Sequence, residues 1–227
     1  MKQNESLAET RAVFVLFAQK PNKTEQSPEY GFFCGGFYGR INENSKNAEG
    51  GRSMTNAPKT VLAIHDLPGF GRAALSVIVP VLSTLGVQTV ALPTAVLSTH
   101  TGGLGTPAKL ANPGYGPVAL EHYHRLGVKF DCIYSGYLAD AAQAKLVEQA
   151  FELWPRAFKV VDPVLGDGGR LYSGLGADMV PAMYSLCSKA DLIVPNVTEA
   201  ALLLGDPLPG VGSAEQAAAQ AARLTRV

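Results

Sequence analysis

The stretch Lys159-Val-Val-Asp-Pro-Val-Leu-Gly-Asp-Gly-Gly169 decides the fold, because it reads as a buried strand that runs into a glycine-rich loop with two acids. The strand is predicted over Phe158 to Val161 and ends at Asp162, and the second acid is Asp167. In an open α/β sheet, ligands bind outside the carboxyl ends of the strands. Two acids at that position, with glycines that let a ligand approach the backbone, indicate a site for a metal ion and a phosphate group. The alternative is a polar strand-to-helix loop that merely begins with Asp-Pro.

The composition limits the class of protein. The 227 residues suffice for one α/β domain with extensions, 47% of them are apolar, and the formal net charge is zero. Nothing in this charge balance points to nucleic acid or an anionic membrane surface as a partner. The three cysteines, Cys34, Cys132 and Cys187, are odd in number and far apart, so we do not expect a framework of disulfide bonds. Such cysteines fit a protein of the reducing cytosol. The apolar run at residues 12–18 is too short to span a bilayer, and we expect a cytoplasmic protein.

Residues 1–57 are interpreted as an extension that precedes the folded part of the chain. Neither helical nor strand periodicity persists over the first 53 residues. Codons for Glu49-Gly-Gly can form a purine-rich ribosome-binding sequence, and Met54 follows it closely. We therefore hypothesise that Met54 is the natural start and that residues 1–53 are translated leader. A disordered N-terminal extension is the alternative.

From residue 60 onward, short apolar strands alternate with amphipathic helices. The predicted strands cover residues 61–64, 87–92, 131–135, 158–161 and 192–194. The predicted helices are 73–85, one opened by Pro117 and closed by Gly127, 141–154, about 178–187, a short one after Asn196, and an Ala-rich one capped by Ser213 with Gln216. Gly86 is the expected stop of the first helix, and Asp140 the expected cap of the third.

This alternation predicts βαβ units, and hence a three-layer α/β/α fold with a mainly parallel sheet. Right-handed crossovers bring the carboxyl ends of all the strands to one edge of the sheet, which we call the rim. Five loops should therefore converge there. They are residues 65–72, 93–108, 136–140, 162–173 and 195–199, and they carry the unusual polar residues.

The loop after the first strand imitates a dinucleotide fingerprint, with Gly69-Phe-Gly71 followed by Ala74. A dinucleotide site also needs an acid at the end of the second strand, and that end is Leu92-Pro-Thr. The dinucleotide interpretation is therefore not favoured. Backbone N–H groups at a helix start that accept a polar ligand remain the simpler interpretation. The chain has no Walker-type Gly-Lys-Ser/Thr sequence.

Other rim residues have both a structural and a functional interpretation. His100 lies among threonines and glycines and could stack on a heteroaromatic ligand, although a loop histidine is more often structural. Tyr137 either lines a pocket beside Gly136 or covers the core. Asn196-Val-Thr-Glu199 forms a capping box, which needs no further function. If Glu199 instead lies near the two acids of the opening stretch, a divalent cation is needed among the three carboxylates.

Five segments, in order and spacing, resemble those of pyridoxal kinases of the ribokinase-like superfamily. They are His65-Asp-Leu-Pro-Gly-Phe-Gly71, Ser98-Thr-His-Thr-Gly102, Ser135-Gly-Tyr137, Val161-Asp-Pro-Val-Leu-Gly-Asp167 and Pro195-Asn-Val-Thr-Glu199. The resemblance covers roughly residues 59–224. The last two segments are shared with hydroxymethylpyrimidine kinases of thiamine synthesis, so they indicate the superfamily more than the substrate.

The resemblance implies phosphoryl transfer from ATP, with Mg²⁺, to the 5′-hydroxymethyl group of a B6 vitamer, and residues 58–227 as the first two-thirds of the kinase domain. It also implies a homodimer where the full domain is present. The implied substrate-binding residues are Asp66, Gly71, His100, Thr101 and Tyr137. The implied ATP-site residues are Asp162, Asp167, Tyr172, Asn196 and Glu199, of which the three acids would hold magnesium directly or through water.

The chain departs from this family in one important respect. The family's Gly-Thr-Gly-Asp-type segment, which carries the catalytic Asp, has no match here, since Gly174-Leu-Gly-Ala-Asp178 has the wrong spacing and lies too early. The resemblance therefore places the expected catalytic Asp beyond Val227, and we assign no catalytic residue within the chain. We expect a fold that is incomplete at the C-terminus and little or no formation of pyridoxal phosphate. The competing interpretations are a truncated pyridoxal kinase, a non-catalytic remnant that binds a vitamer or dimerises, and a hydroxymethylpyrimidine kinase.

Overall fold

The computed structural model describes residues 58–101, 104–111, 113–172, 174–176, 178–208, 219–220 and 222–224. The strands are β1 Thr60–Phe70, β2 Gln88–Thr99, β3 Lys109–Leu110, β4 Cys132–Ser135, β5 Phe158–Val161, β6 Gly166–Asp167, β7 Arg170–Leu171 and β8 Leu192–Ile193. The helices are α1 Leu75–Thr84, α2 Tyr115–Arg125, α3 Ala141–Leu153, α4 Met179–Cys187 and α5 Val197–Leu204. The predicted N-terminal extension, the predicted caps Ser213 and Gln216, and the last residue, Val227, lie outside the described residues.

Six strands form one sheet in the order β3-β2-β1-β4-β5-β8, and every neighbouring pair is parallel except β2 with β3. Leu62 and Ile64 of β1 belong to the main apolar core, to which α3 and α4 also contribute. Val61 and Ala63 alternate with them and are buried outside that core, as is Leu75 of α1, which packs against β1 and β2. Both faces of the sheet are therefore covered, and the predicted α/β class with a mainly parallel sheet is confirmed.

The predicted helix ends are confirmed at several points. The Asp140 side chain accepts a hydrogen bond from the Gln143 N–H at 3.0 Å at the start of α3. Gly86 and Gly127 follow α1 and α2 with φ of +75° and +70°, the left-handed conformation that ends a helix. The prediction that Pro117 opens its helix is wrong, since α2 begins two residues earlier. A proline is tolerated there because the N–H groups of the first turn have no intrahelical partner.

The first two strands are longer than predicted. We expected a turn at residues 65–71 and a loop from 93, but β1 continues to Phe70 and β2 to Thr99, paired with each other. Beyond Ile64, β1 has lost β4 as a partner, so prolines and glycines interrupt fewer ladder hydrogen bonds than they would in the sheet centre. At this change of partners the register of β1 with β2 shifts between His65 and Leu67, with the extra residue on β2.

The opening stretch contains a small hairpin that the sequence interpretation treated as a loop. β6 and β7 pair through a two-residue turn at Gly168 and Gly169, with φ of +56° and +73°. Positive φ at both central residues is the requirement of a type I′ turn. A side chain at Gly166 would overlap the Arg170 carbonyl oxygen, so the close approach of the two short strands also needs glycine.

Candidate active site at the rim of the sheet

His100 and Gly71, predicted to bind the same ligand, lie directly against each other. A Cβ atom at position 71 would overlap the His100 ring, and Gly71 has a φ of +87°. The His100 N–H donates to the Phe70 carbonyl at 3.2 Å, which fixes the end of β2 beside the end of β1. The two longer strands therefore bring these residues together.

Asp66 is buried and forms a pair with its neighbour His65. The Nδ1 atom of His65 lies 2.6 Å from Oδ1 of Asp66, and the two residues are 8% and 7% exposed. The His65 ring also fills the space where a side chain at Gly136 would lie, and it stacks on Tyr134 with ring centroids 6.1 Å apart. Sequence reasoning assigned no role to His65, because its contacts with β4 are distant along the chain.

Tyr137 lies close enough to Asp66 to feel its charge. Burial raises the pKa of Tyr137 above its ordinary value, and the carboxylates of Asp66 and Asp140 raise it further. The Tyr137 carbonyl accepts from Thr94 Oγ1 at 2.9 Å, and Gln143 Nε2 donates to the Thr94 carbonyl at 2.7 Å. Tyr137 therefore stays protonated at neutral pH, with a hydroxyl that can donate a hydrogen bond.

We call Asp66, Gly71, His100 and Tyr137 the ring group. Gly71 lies directly against His100, and the charge of Asp66 contributes to the raised pKa of Tyr137. Thr101 is exposed, and the two residues after it lie outside the described part of the chain. Its predicted contact with substrate therefore stays a prediction.

Asn196 and Glu199 form the predicted capping box and also hold the hairpin loop. The backbone N–H of each residue donates to the side chain of the other at 2.8 Å. The second Glu199 oxygen, Oε1, accepts from the Leu165 N–H at 3.3 Å, and Asn196 Nδ2 donates to the Gly166 carbonyl at 2.8 Å. One pair of side chains thus starts α5 and fixes the loop between β5 and β6 to it.

Thr198 is a further contact that sequence reasoning missed. Its hydroxyl accepts from the Gly169 N–H at 2.9 Å, and the residue is 4% exposed. The Tyr172 N–H donates to the Leu165 carbonyl at 2.9 Å and closes the base of the hairpin. The role of Tyr172 at the ATP phosphates stays a prediction.

The three predicted magnesium ligands do not form one group. Asp162 is 4% exposed and accepts from the Tyr134 hydroxyl at 3.1 Å. Asp167 is exposed at the hairpin, and its carboxylate accepts from the Gly168 N–H at 2.8 Å. Within the described residues, no set of three or more His, Cys, Asp or Glu side chains is close enough to hold a metal ion.

Two of the three acids nevertheless act on the same buried atom. Burial raises the pKa of the Cys187 thiol to about 12, and the charges of Glu199 and Asp162 contribute further. Asp162 and Glu199 are both buried, and carboxylate oxygens are the ligands that Mg²⁺ prefers. In donor chemistry, this pair fits a magnesium ion, whereas Asp167 is separate from it.

The solved structures most similar to this chain include pyridoxal kinases. The Lactobacillus plantarum pyridoxal kinase is 40% identical, with a TM-score of 0.65 over 71% of this chain and 60% of that protein. A Bacteroides thetaiotaomicron protein described as a phosphomethylpyrimidine kinase is 39% identical, with a TM-score of 0.70 over 77% of this chain and 61% of its own. That protein has also been crystallised with pyridoxal.

The chain is similar in sequence and in fold to pyridoxal kinases. A Schizosaccharomyces pombe protein described as a pyridoxal kinase is 29% identical over 167 residues, which make up 70% of this chain and 52% of that protein. The chain spans about half the length of the curated relatives it matches, 52% and 56% in two cases. No family model matches the chain.

The catalytic Asp that the resemblance implies has no assigned counterpart among the described residues. Asp178 and its neighbours were set aside because of their spacing, and the structure places Asp178 directly before α4. The sequence interpretation expected the catalytic Asp beyond Val227, and Val227 itself lies outside the described residues. That expectation therefore stays a prediction.

The similarity to these solved structures confirms the ribokinase-like fold predicted from the motifs. The segments that carried the resemblance lie at the rim, on β1, β2, the end of β4, the β5–β6 loop and the start of α5. Among the described residues, no helix has the length and apolar character needed to cross a bilayer.

Proposed function

We propose that this chain provides the vitamer pocket and the magnesium–phosphate loops of a pyridoxal kinase. The reaction is transfer of the γ-phosphoryl group of ATP to the 5′-hydroxymethyl group of pyridoxal, pyridoxine or pyridoxamine. The observation that carries the proposal is the 39% identical Bacteroides protein, which has been crystallised with pyridoxal. We also propose that the protein acts in the cytosol and that the full domain forms a homodimer.

The ring group has the chemistry that a hydroxylated pyridine needs. The Asp66 carboxylate can accept a hydrogen bond from a ring N–H or hydroxyl group. The protonated Tyr137 hydroxyl can donate one, because burial and nearby acids raise its pKa. The His100 ring, seated on Gly71, offers an aromatic face to the vitamer. Together these groups orient the 5′-hydroxymethyl group, and positioning is the main requirement of phosphoryl transfer.

The phosphate side is formed by the hairpin and the start of α5. Backbone N–H groups in a glycine-rich turn and at a helix start favour negative charge. Asp162 and Glu199 would hold Mg²⁺, directly or through water, and Asp167 at the hairpin would reach it only from the solvent side. When bound, magnesium neutralises charge on the ATP phosphates. Asn196 and Thr198 keep the hairpin at that position through Gly166 and Gly169.

A second candidate function is phosphorylation of hydroxymethylpyrimidine. It is favoured by one observation, the description of the Bacteroides relative as a phosphomethylpyrimidine kinase. A third candidate, left open by the sequence analysis, is a protein that binds a vitamer without transferring phosphate.

The test is to titrate the purified chain with pyridoxal, pyridoxine and hydroxymethylpyrimidine, and then to measure product formation with ATP and Mg²⁺. Preference for the two vitamers supports the pyridoxal kinase assignment, and preference for the pyrimidine supports the second candidate. Vitamer binding with product at the level of a no-protein blank supports the third. Absence of binding to all three compounds contradicts the proposal.

A further inference from the structure

We propose that His65 is a positioning residue, which holds the Asp66 carboxylate in the orientation that meets the vitamer ring. This role rests on the proposed function, since it assumes that the ring group binds a vitamer. The sequence motifs gave His65 no role of its own.

The pair of His65 and Asp66 is unusual for two consecutive residues of a strand. Consecutive side chains of a regular strand point to opposite faces of the sheet. Here Nδ1 and Oδ1 lie only 2.6 Å apart, and the pairing of β1 with β2 is irregular between His65 and Leu67, with the extra residue on β2. The side-chain pair therefore lies where the ladder between β1 and β2 departs from regular geometry.

One proton lies between the two side chains. The separation of 2.6 Å between Nδ1 and Oδ1 is that of a charge-assisted hydrogen bond. The Asp66 N–H also points to Nδ1, at 2.9 Å. The Nδ1 atom carries either one proton or one lone pair in the plane of the ring. It therefore cannot donate to the carboxylate and accept from the Asp66 N–H at the same time. The shorter contact is the stronger one, so we assign the tautomer in which the Nδ1–H group donates to the Asp66 carboxylate.

The His65 ring is held in place on its other sides. A side chain at Gly136 would overlap Cδ2 and Nε2 of the ring, so the backbone of β4 leaves a seat of the right size. Tyr134 also contacts the ring and lies nearly parallel to it, at an angle of 18°. The Tyr134 hydroxyl in turn donates to Asp162 on the phosphate side. His65 is thus held by Gly136 and Tyr134, and its orientation determines that of Asp66.

A merely structural role makes a different prediction from a positioning role. If the pair only stabilises β1, its loss lowers the melting temperature and leaves vitamer affinity unchanged in the folded chain. If His65 positions Asp66, affinity depends on a hydrogen-bond donor at the place of Nδ1. An asparagine supplies that donor, because its Nδ2 lies about as far from the backbone as Nδ1, whereas a leucine fills similar space without one.

The experiment compares His65→Leu, His65→Asn and the control His122→Leu, which alters an exposed histidine on α2. Pyridoxal binding is measured by calorimetric titration, and folding by thermal unfolding. We expect His65→Leu to weaken binding by about tenfold, as for loss of a charge-assisted hydrogen bond, and His65→Asn to restore it to within about threefold of wild type. Wild-type affinity in His65→Leu overturns the role, and so does equal loss in both variants.

If His65→Leu does not fold, His65→Asn and His65→Gln carry the test. The glutamine amide reaches toward the place of Nε2 instead of Nδ1, so we expect it to lose affinity while His65→Asn keeps it. Equal affinity of the two variants overturns the role. If the wild-type chain does not bind pyridoxal, both the proposed function and the positioning role of His65 are contradicted. If it binds pyridoxal and the His65 substitutions do not change the affinity, only the positioning role is contradicted.

Discussion

The imidazole of His100 occupies the space that a side chain at position 71 would fill. The overlap would involve Cδ2 of the ring, and Gly71 has a φ of +87°. His100 follows β2 and Gly71 follows β1, so the contact joins the ends of the two longest strands of the sheet. We propose that a flat ligand stacks on the His100 ring at this position, and adding a single methyl group at position 71 tests the proposal.

Gly71→Ala is expected to displace His100 and weaken pyridoxal binding by about tenfold or more, because a displaced ring loses its stacking and hydrogen-bonding position. Gly86→Ala is the matched control, since Gly86 also has a positive φ, of +75°, but has open space around its Cβ position. Both variants should lose about 1–2 kcal/mol of stability from backbone strain. Calorimetric titration measures pyridoxal affinity, and thermal unfolding measures stability, for both variants. Equal pyridoxal affinity of the two alanine variants would contradict a role for the His100 ring in binding.

The order of strands and helices could be predicted because the apolar periodicity is local. The extensions of β1 and β2 were missed because Pro68, Gly69 and Pro93 act as strand breakers when they are judged one at a time. A strand tolerates these residues where one of its neighbouring strands has already ended, and the sequence alone does not show where that is. The hairpin turn at Gly168 and Gly169 could have been predicted, since a Gly-Gly pair is a two-residue turn signal.

Those parts of the site that lie in a local sequence motif could be predicted. Those that depend on contacts between residues far apart in the sequence could not. Asn196 and Glu199 were found through the capping box, which is local. Their hydrogen bonds to Gly166 and Leu165 were not, and neither was the seat of His65 on Gly136. The sequence supplied the three acids, but it could not say that only two of them, Asp162 and Glu199, act on one buried thiol.

Thr198→Val should loosen the hairpin without breaking the fold. Valine has nearly the shape of threonine but cannot accept the hydrogen bond from the Gly169 N–H, which is 2.9 Å long. We expect a loss of about 1–2 kcal/mol, because a partly buried N–H is left without its partner. Hydrogen exchange of the Gly169 amide should accelerate accordingly. Thr84→Val on the exposed side of α1 is the control, and similar exchange at Gly169 in both variants would refute the contact.

Asp162→Asn should distinguish the effect of the Asp162 charge on magnesium binding from its effect on the binding of the ATP phosphates. Asparagine can still accept from the Tyr134 hydroxyl, so the local hydrogen bond is kept while the charge is removed. We expect ATP affinity in the presence of Mg²⁺ to fall by about tenfold, because one of two buried carboxylates is lost. Without Mg²⁺, affinity should stay equal or rise, since a negative charge near the phosphates has gone.

The control for this substitution is Glu152→Gln, which removes one negative charge from the exposed surface of α3. Calorimetric titration with ATP, with magnesium and with a chelator, gives both affinities. An unchanged ratio of the two in Asp162→Asn would show that Asp162 takes no part in binding the cation.

Glu148 should make the stability of the chain depend on acid. Its carboxylate accepts from the Lys189 ammonium group and from the Ser185 hydroxyl, the latter at 3.1 Å, and so joins α3 to the end of α4. The Lys189 hydrogen bond is the main reason why the pKa of Glu148 lies below its ordinary value of 4.5, and Ser185 adds to it against the effect of burial. Because the folded-state pKa is lowered, the stabilisation is complete at neutral pH. It declines as the pH falls past 4.5 and is gone below the lowered pKa.

Glu148→Gln should therefore cost about 0.5–1 kcal/mol at neutral pH, as expected for a partly exposed ion pair, and nothing at a pH below the folded-state pKa. Urea unfolding at a series of pH values measures the difference from wild type. Glu152→Gln, one turn further along α3 and exposed, should give no such pH-dependent difference. If the difference in unfolding free energy between wild type and Glu148→Gln stayed constant across the acid range, protonation of Glu148 would have no effect on stability. The side chain would then stabilise the pair of helices α3 and α4 by packing and not by its charge.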